Sequence, residues 1–339
     1  MSTRTPRRSV TRTAALAGAV AGAVLLAGCA APLPTASPDP TPTEAVPALT
    51  TDQMAEVRTA VGTTLEAAGA TNDATQLAGR LAGPALALRT SQLAVAATRG
   101  NQDLVTNLPT DVQQDIITTT DTWPRQAYAV TVQPEDLQSK RLLAYEQTTA
   151  RDPYKLWAWV RLFPSATLPK FAGAAVGSEA VPMDDASLVM TPADAVAQYA
   201  DVLTLGAGSG FAGSFGDDPL RAWVASNATL QLAELTKAEG TMTMTFTPTP
   251  DQARAVRTAD GGAMVMAGLS ALETRTVEAG GTIAPGSETE KALFGASTAT
   301  NTLNVGYTTM VAMYIPPAGA PTGVQVLGME NVATSVTTS

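Results

Sequence analysis

The chain contains a single cysteine, Cys29, among its 339 residues. Because a disulfide within one chain requires two cysteines, no covalent cross-link can restrict the fold. Stability must therefore come from the burial of apolar side chains and from backbone hydrogen bonds. The chain is long enough for one large domain or two medium-sized ones.

The segment before Cys29 has the pattern of a bacterial export signal. Its first 12 residues contain four arginines and no acidic residue, residues 14–26 are apolar, and small residues precede the cysteine. The apolar stretch is shorter than the roughly 20 residues that span a bilayer. Residues 26–29 read LAGC and resemble the lipobox of bacterial lipoproteins. The resemblance implies that residues 1–28 are a lipoprotein signal peptide and that Cys29 becomes the lipidated first residue of the mature chain.

Lipidation at Cys29 predicts a location on the extracytoplasmic face of the cell membrane, where acyl chains rather than a protein span hold the chain. Two other interpretations of the leader stay open: an uncleaved membrane anchor, and an ordinary signal peptide that happens to contain a cysteine. The pair Arg7-Arg8 leaves both the Sec and the twin-arginine export routes open.

Residues 29–49 are rich in proline, threonine and alanine and predict a tether behind the lipidated cysteine. Proline stiffens a chain toward polyproline II, in which about 20 residues at about 3.1 Å each span up to roughly 60 Å. The folded part is therefore expected to stand away from the membrane surface.

The charge of the mature chain argues against nucleic-acid binding. The whole chain has a net charge of −9, and loss of the four leader arginines changes it to −13. An acidic surface repels phosphate backbones and anionic lipid headgroups. The expected partners are the membrane, through the lipid on Cys29, and an envelope protein or small ligand of unknown identity.

The absence of histidine removes most hydrolytic and metal chemistry from consideration. A Ser-His-Asp triad, a Cys-His pair and zinc sites built on histidine and cysteine are excluded. Carboxylate pairs, Ser-Lys pairs, tyrosine and oxygen-ligated metals remain chemically possible. The sequence predicts no cofactor, no metal ligand and no catalytic residue.

The pattern of apolar residues divides the folded part into two similar halves. Residues 50–165 predict helices followed by strands, residues 166–189 predict a linker, and residues 190–339 repeat the order of helices and strands. Thr50 and Asp217-Asp218 stand at expected helix N-caps. Helices followed by a run of antiparallel strands predict an α+β fold. This order resembles the NTF2-like and cystatin-like cone, and implies two domains in which helices pack on a curved antiparallel sheet.

The whole chain also resembles uncharacterised actinobacterial lipoproteins of a domain-of-unknown-function family. The resemblance is carried by residues 257–263, RTADGGA, and residues 316–319, PPAG. Such a family implies a place in the cell envelope and supplies no activity.

Two groups of residues are candidates for binding. Trp123, Trp157 and Trp159 could line a sugar or peptide groove, but packing between sheet and helices is the favoured interpretation. Asp184 and Asp185 could offer adjacent carboxylates for a ligand, but a solvated loop is the favoured interpretation.

Two hypotheses of function follow. The first is a non-catalytic envelope lipoprotein that binds a ligand or a partner protein on a concave face. The alternative is a hydrolase or isomerase that works with carboxylates or with a tyrosine, for which the candidates are Tyr128, Tyr145 and Tyr307. It requires a pocket where two acids, or an acid and a tyrosine, converge within about one water molecule of each other.

Overall fold

The computed structural model describes residues 45–134, 138–164 and 166–339. Cys29, the predicted signal peptide and residues 29–44 of the predicted tether lie outside this part of the chain. Within the described ranges, no helix combines the length and the apolar character that crossing a membrane requires.

Two long helices open the described chain, α1 over Thr51–Thr71 and α2 over Gly83–Arg99. The predicted N-cap at Thr50 is confirmed: its hydroxyl accepts a hydrogen bond from the Gln53 backbone at 3.2 Å. The Gln53 side chain in turn accepts from the Thr50 backbone at 2.9 Å, which completes a capping box. Two of the four free N–H groups at the helix start are thereby paired.

Nine strands and three further helices follow. The strands are β1 (Val112–Thr119), β2 (Arg125–Thr131), β3 (Arg141–Gln147), β4 (Lys155–Leu162), β5 (Ser178–Val181), β6 (Thr241–Arg257), β7 (Ala263–Thr276), β8 (Thr302–Ile315) and β9 (Gln325–Thr338). The helices are α3 (Pro192–Leu205), α4 (Pro219–Leu235) and α5 (Glu288–Phe294).

The strands form one closed barrel in the order β1-β2-β3-β4-β9-β8-β7-β6-β5. β1 to β4 and β6 to β9 are two antiparallel four-stranded sheets. They meet at two short junctions. β4 pairs with β9 over two residue pairs, and β5 is parallel to β1 and antiparallel to β6, again over two pairs each.

The predicted fold class, an α+β arrangement of two NTF2-like or cystatin-like cones, was therefore wrong. Helices followed by antiparallel strands do occur twice along the chain. However, β4 of the first sheet pairs with β9 of the second half, and β1 pairs with β5 in the predicted linker, so the two halves share one barrel instead of forming two cones. Apolar periodicity identifies which side of a strand is buried, but it carries no information about which strand lies beside it.

The first half of β7 is buried on both faces of the sheet β6–β9. Met264 and Met266 of β7 belong to the core shared with β1 to β4, α1 and α2. The alternate residues Val265, Ala267 and Leu269 belong to a second core beneath α3 and α4. Burial of both faces explains why β7 begins with a continuous apolar run rather than with alternation.

Side chains and a helix reinforce the short β4–β9 junction. Arg161 of β4 donates two hydrogen bonds to the buried carboxylate of Glu330 in β9, at 2.9 and 2.8 Å. Helix α2 packs against both strands, and its Ser91 hydroxyl donates to the carbonyl oxygen of Ala333 at 2.7 Å. Charge-assisted pairs of this kind are about twice as strong as neutral hydrogen bonds.

Gly328 is the position at which the two sheets approach most tightly across this junction. It pairs with Leu162, and a methyl group added there would overlap the carbonyl oxygen of Arg161. We expect Gly328→Ala to lower the free energy of unfolding by about 1–3 kcal/mol, because the junction must open to relieve the overlap. Urea denaturation measures this change.

The matched control is Gly213→Ala, where an added methyl group meets no atom within 4 Å. Equal stability of the two variants would contradict the role assigned to the β4–β9 junction.

Candidate functional site

The three candidate tryptophans do not line one surface. Trp157 and Trp159 of β4 are buried in the main core, whereas Trp123, in the loop before β2, is 41% exposed. Trp157 and Trp159 thus pack in the core. Each of the three rings faces the guanidinium of an arginine; the distances to the ring centroids are 4.3 Å for Arg125 and Trp123, 5.6 Å for Arg254 and Trp157, and 5.4 Å for Arg89 and Trp159.

Trp123 borders a groove with a volume of about 640 Å³. One wall is the β1–β2 loop over residues 120–124, and the facing wall is residues 180–183 at the end of β5. Residues 248–255 of β6 and one side of α3 complete the lining. Apolar and proline side chains dominate; they include Pro124, Val181, Pro182, Met183, Val196, Pro248 and Pro250.

The exposed indole of Trp123 is held in place from two directions. The guanidinium of Arg125 lies over the ring, and the indole N–H donates a hydrogen bond to the Gln147 side chain at 3.3 Å. A cation–π contact at an exposed site contributes about 0.5–1 kcal/mol. The ring is therefore positioned before any ligand arrives, which reduces the entropy lost on binding.

A break in β6 forms part of the groove lining. The register with β7 shifts between Pro248 and Ala253, so residues 249–252 bulge out of the sheet, and Asp251 adopts a left-handed φ of 57°. The sequence explains this local structure: Pro248 and Pro250 have no N–H with which to continue the ladder. The bulge gives the groove its depth.

The charge of Arg254 at the groove is neutralised inside the protein. Its Nε lies 2.5 Å from the Glu146 carboxylate, and its Nη1 donates to the carbonyl oxygens of Asp251 and Ala253 at 2.7 and 2.8 Å. Gln126, which also lines the groove, accepts a hydrogen bond from Tyr128 at 2.9 Å. Burial raises the pKa of Tyr128, so this hydroxyl stays protonated. Arg254 therefore does not attract an anionic ligand, and the other charged residue of the lining is the exposed Asp251.

The two candidate aspartates lie outside the groove. Asp184 is exposed, while Asp185 forms an ion pair with Arg257 and accepts a hydrogen bond from the Ser187 backbone at 2.8 Å. Hydrogen bonds from Ser187 and Arg257 lower the pKa of Asp185 to about 2. Asp185 thus fixes the loop that follows Met183, and the two carboxylates do not act on a common ligand.

The N-cap prediction at the second aspartate pair is confirmed for Asp218, which caps α4. Its buried carboxylate accepts hydrogen bonds from the backbone of Leu220 and Arg221 at 2.8 and 3.0 Å and from the Tyr199 hydroxyl at 3.0 Å. Desolvation raises the pKa of Asp218. Its neighbour Asp217 is exposed and lies 3.6 Å from Arg221.

Sequence reasoning missed a buried ionic cluster in the β7–α5 region. Arg275 pairs with the fully buried Glu273 and donates to both oxygens of Glu290, at 3.1 and 2.8 Å. The Tyr307 hydroxyl lies 3.4 Å from Glu273, and Asn227 donates to the same carboxylate at 2.8 Å. The sequence feature that could have indicated this cluster is the presence of Glu273 and Arg275 two residues apart in one strand. Two acids and a tyrosine do converge here, but Glu273 has no surface through which a substrate can reach it.

No group of three or more acidic side chains in the described ranges is arranged to hold a metal ion, and the chain has no histidine. Tyr145, the remaining tyrosine candidate, is buried in the main core, and burial raises its pKa.

Comparison with known proteins yields one family. The model of a domain of unknown function, DUF8094, matches residues 45–338, which include all nine strands and all five helices described above. Neither the curated proteins nor the solved structures contain a match to the chain.

Proposed function

The chain belongs to the DUF8094 family, and we propose that it is a lipid-anchored, non-catalytic binding protein on the extracytoplasmic face of the cell membrane. It holds an extended, proline-containing peptide segment of an envelope partner in the groove beside Trp123. The observation that carries this proposal is the exposed indole of Trp123, which Arg125 and Gln147 hold in place at the edge of a preformed groove.

The leader supports the membrane anchor. The four arginines, the short apolar stretch and the LAGC sequence ending at Cys29 form a complete lipoprotein signal. The proline-rich tether behind Cys29 leads to the barrel beside β1, where Ala48 donates to the Thr118 carbonyl at 2.9 Å and Thr120 donates to that of Val46 at 3.3 Å. Thr120 itself lines the groove, so the tether joins the barrel beside the proposed binding site.

The lining of the groove favours a peptide over a sugar. Proline-rich segments bind in grooves lined by aromatic side chains, because their polyproline II conformation exists before binding. The groove offers such an aromatic ring and a row of apolar and proline side chains, with threonine and glutamine side chains at intervals for the peptide backbone. The guanidinium of Arg254, which could grip sugar hydroxyls, is paired with Glu146, so Asp251 is left as the other charged residue of the lining.

Burial of the candidate catalytic groups favours binding over catalysis. Glu273 and Tyr145 lie in the interior, and the carboxylate of Asp218 is occupied by the α4 N-terminus and Tyr199. A general base must lie within hydrogen-bonding reach of a bound substrate.

The anchor is tested by replacing its attachment atom. Cells that express the native chain are expected to retain it in the membrane fraction, whereas Cys29→Ala removes the sulfur that carries the lipid and releases the protein. Fractionation followed by immunoblotting measures the distribution. If Cys29→Ala remains membrane-bound, the lipid anchor is wrong.

The groove is tested with octaproline amidated at its C-terminus, which cannot act as a carboxylate ligand, titrated into the purified Cys29→Ala protein. We expect octaproline to bind and Trp123→Ala to weaken binding by at least about tenfold, because tryptophans are enriched among the residues that dominate interface affinity and a tenfold loss corresponds to about 1.4 kcal/mol. Isothermal titration calorimetry measures the affinity.

The matched control is Leu232→Ala, because Leu232 on α4 is also 41% exposed and lies outside the groove. The Leu232→Ala protein should bind octaproline with the same affinity as the parent protein. The peptide groove is refuted if Trp123→Ala binds octaproline as the parent does, or if an octapeptide of glycine and serine binds the parent equally well.

A further inference from the structure

A second cavity, with a volume of about 600 Å³, lies between α1, the middle of α2 and residues 102–110. Its walls combine hydroxyl and amide groups with a short apolar surface. The polar lining includes Thr63, Thr110 and Asn107, and the apolar lining includes Leu65, Val105 and Leu108. None of these residues belongs to the groove beside Trp123.

Arg89 is a buried cation in the lining of this cavity. It is 5% exposed, and its guanidinium lies 5.4 Å from the ring centroid of Trp159. Within the described ranges it makes one hydrogen bond, from Nη2 to the carbonyl oxygen of Thr106 at 2.8 Å. Its Nε and the indole N–H of Trp159 are both buried without an acceptor among the described residues. A buried cation is normally paired, because removing it from water is costly.

The acid whose charge acts on Arg89 does not supply the missing partner. Glu330 is engaged by two hydrogen bonds from Arg161, and its Oε1 also accepts from the Thr106 hydroxyl at 3.0 Å. Arg89 forms no ion pair within 4.0 Å in the part of the chain that the structure describes. Desolvation lowers the pKa of Arg89 to about 10, and the charge of Glu330 opposes the shift. The guanidinium is therefore still charged at neutral pH.

We propose that this cavity binds a small molecule or chain end through its carboxylate group, with Arg89 as the binding residue. A carboxylate carries the single negative charge that balances one guanidinium, and it accepts charge-assisted hydrogen bonds from it. The threonine hydroxyls and the Asn107 amide supply donors around it, and Leu65, Val105 and Leu108 contact the apolar body of the ligand. A phosphate dianion would lack a second cation in the lining, where the other charged residue is Glu66.

A free organic acid and a peptide C-terminus present the same group, and the experiment separates them. N-Acetyl-L-alanine mimics a peptide C-terminus, butyrate is a free acid, and N-acetyl-L-alaninamide has the same body without the charge. Binding to the full chain carrying Cys29→Ala is followed by NMR titration in a buffer without carboxylates. We expect at least one acid to bind at least about tenfold more tightly than the amide. The tighter of the two acids identifies the source of the carboxylate.

The variant test is Arg89→Met, which keeps much of the side-chain volume and removes the charge. We expect a loss of at least about tenfold in affinity for the better acid. The control is Arg99→Met, on the same helix but outside the cavity, which should bind the acid as the parent does.

The proposal is overturned if neither acid binds the parent more tightly than the amide does. Inorganic phosphate that binds more tightly than both acids would also overturn it. Because these comparisons use the parent protein, they decide the question even if Arg89→Met fails to fold. They are also independent of octaproline binding, so failure of one site leaves the other untouched.

Discussion

Closure of two four-stranded sheets into one barrel is the constraint on which the rest of the structure depends. Long antiparallel ladders hold each sheet together, but the sheets meet over only two residue pairs at β4–β9 and over the four-residue strand β5. Both binding sites lie beside these short junctions. The groove is lined by Val181 of β5 and the neighbouring part of β6, and the second cavity is lined by Thr106, which bonds to Glu330 at the β4–β9 junction. Where a ladder is short, side chains and loops must fill the space, and concave surfaces arise there.

Arginine has a repeated role in this chain, which has neither a disulfide nor a histidine. Arg161 joins β4 to β9, and Arg275 joins two buried glutamates across β7 and α5. Three other arginines lie over tryptophan rings, and they differ in how their charge is balanced. Arg254 has a carboxylate partner, whereas Arg89 has, among the described residues, a carbonyl oxygen alone. That difference is the basis for proposing Arg89, and not Arg254, as a ligand-binding residue.

Local features of the fold were predictable from the sequence. The caps at Thr50 and Asp218 follow from side-chain chemistry within a few residues. The closed barrel was not predictable, because the partner of an edge strand is set by contacts far apart in sequence. For the same reason, the sequence could not show that Trp157 and Trp159 are buried in the core whereas Trp123 is exposed. The sequence did not single out Arg89 as a binding residue, since one arginine in a helix does not reveal whether a carboxylate lies opposite it in the fold.

Native-state hydrogen exchange tests the closure of the barrel most directly. If the two sheets form one barrel, amides of β3 in the first sheet and of β8 in the second should exchange through one common opening. Their protection should then disappear at the same urea concentration, because neither sheet keeps its core when the junctions part. Loss of protection in one sheet at a urea concentration where the other remains fully protected would contradict this account and indicate two separately folded units.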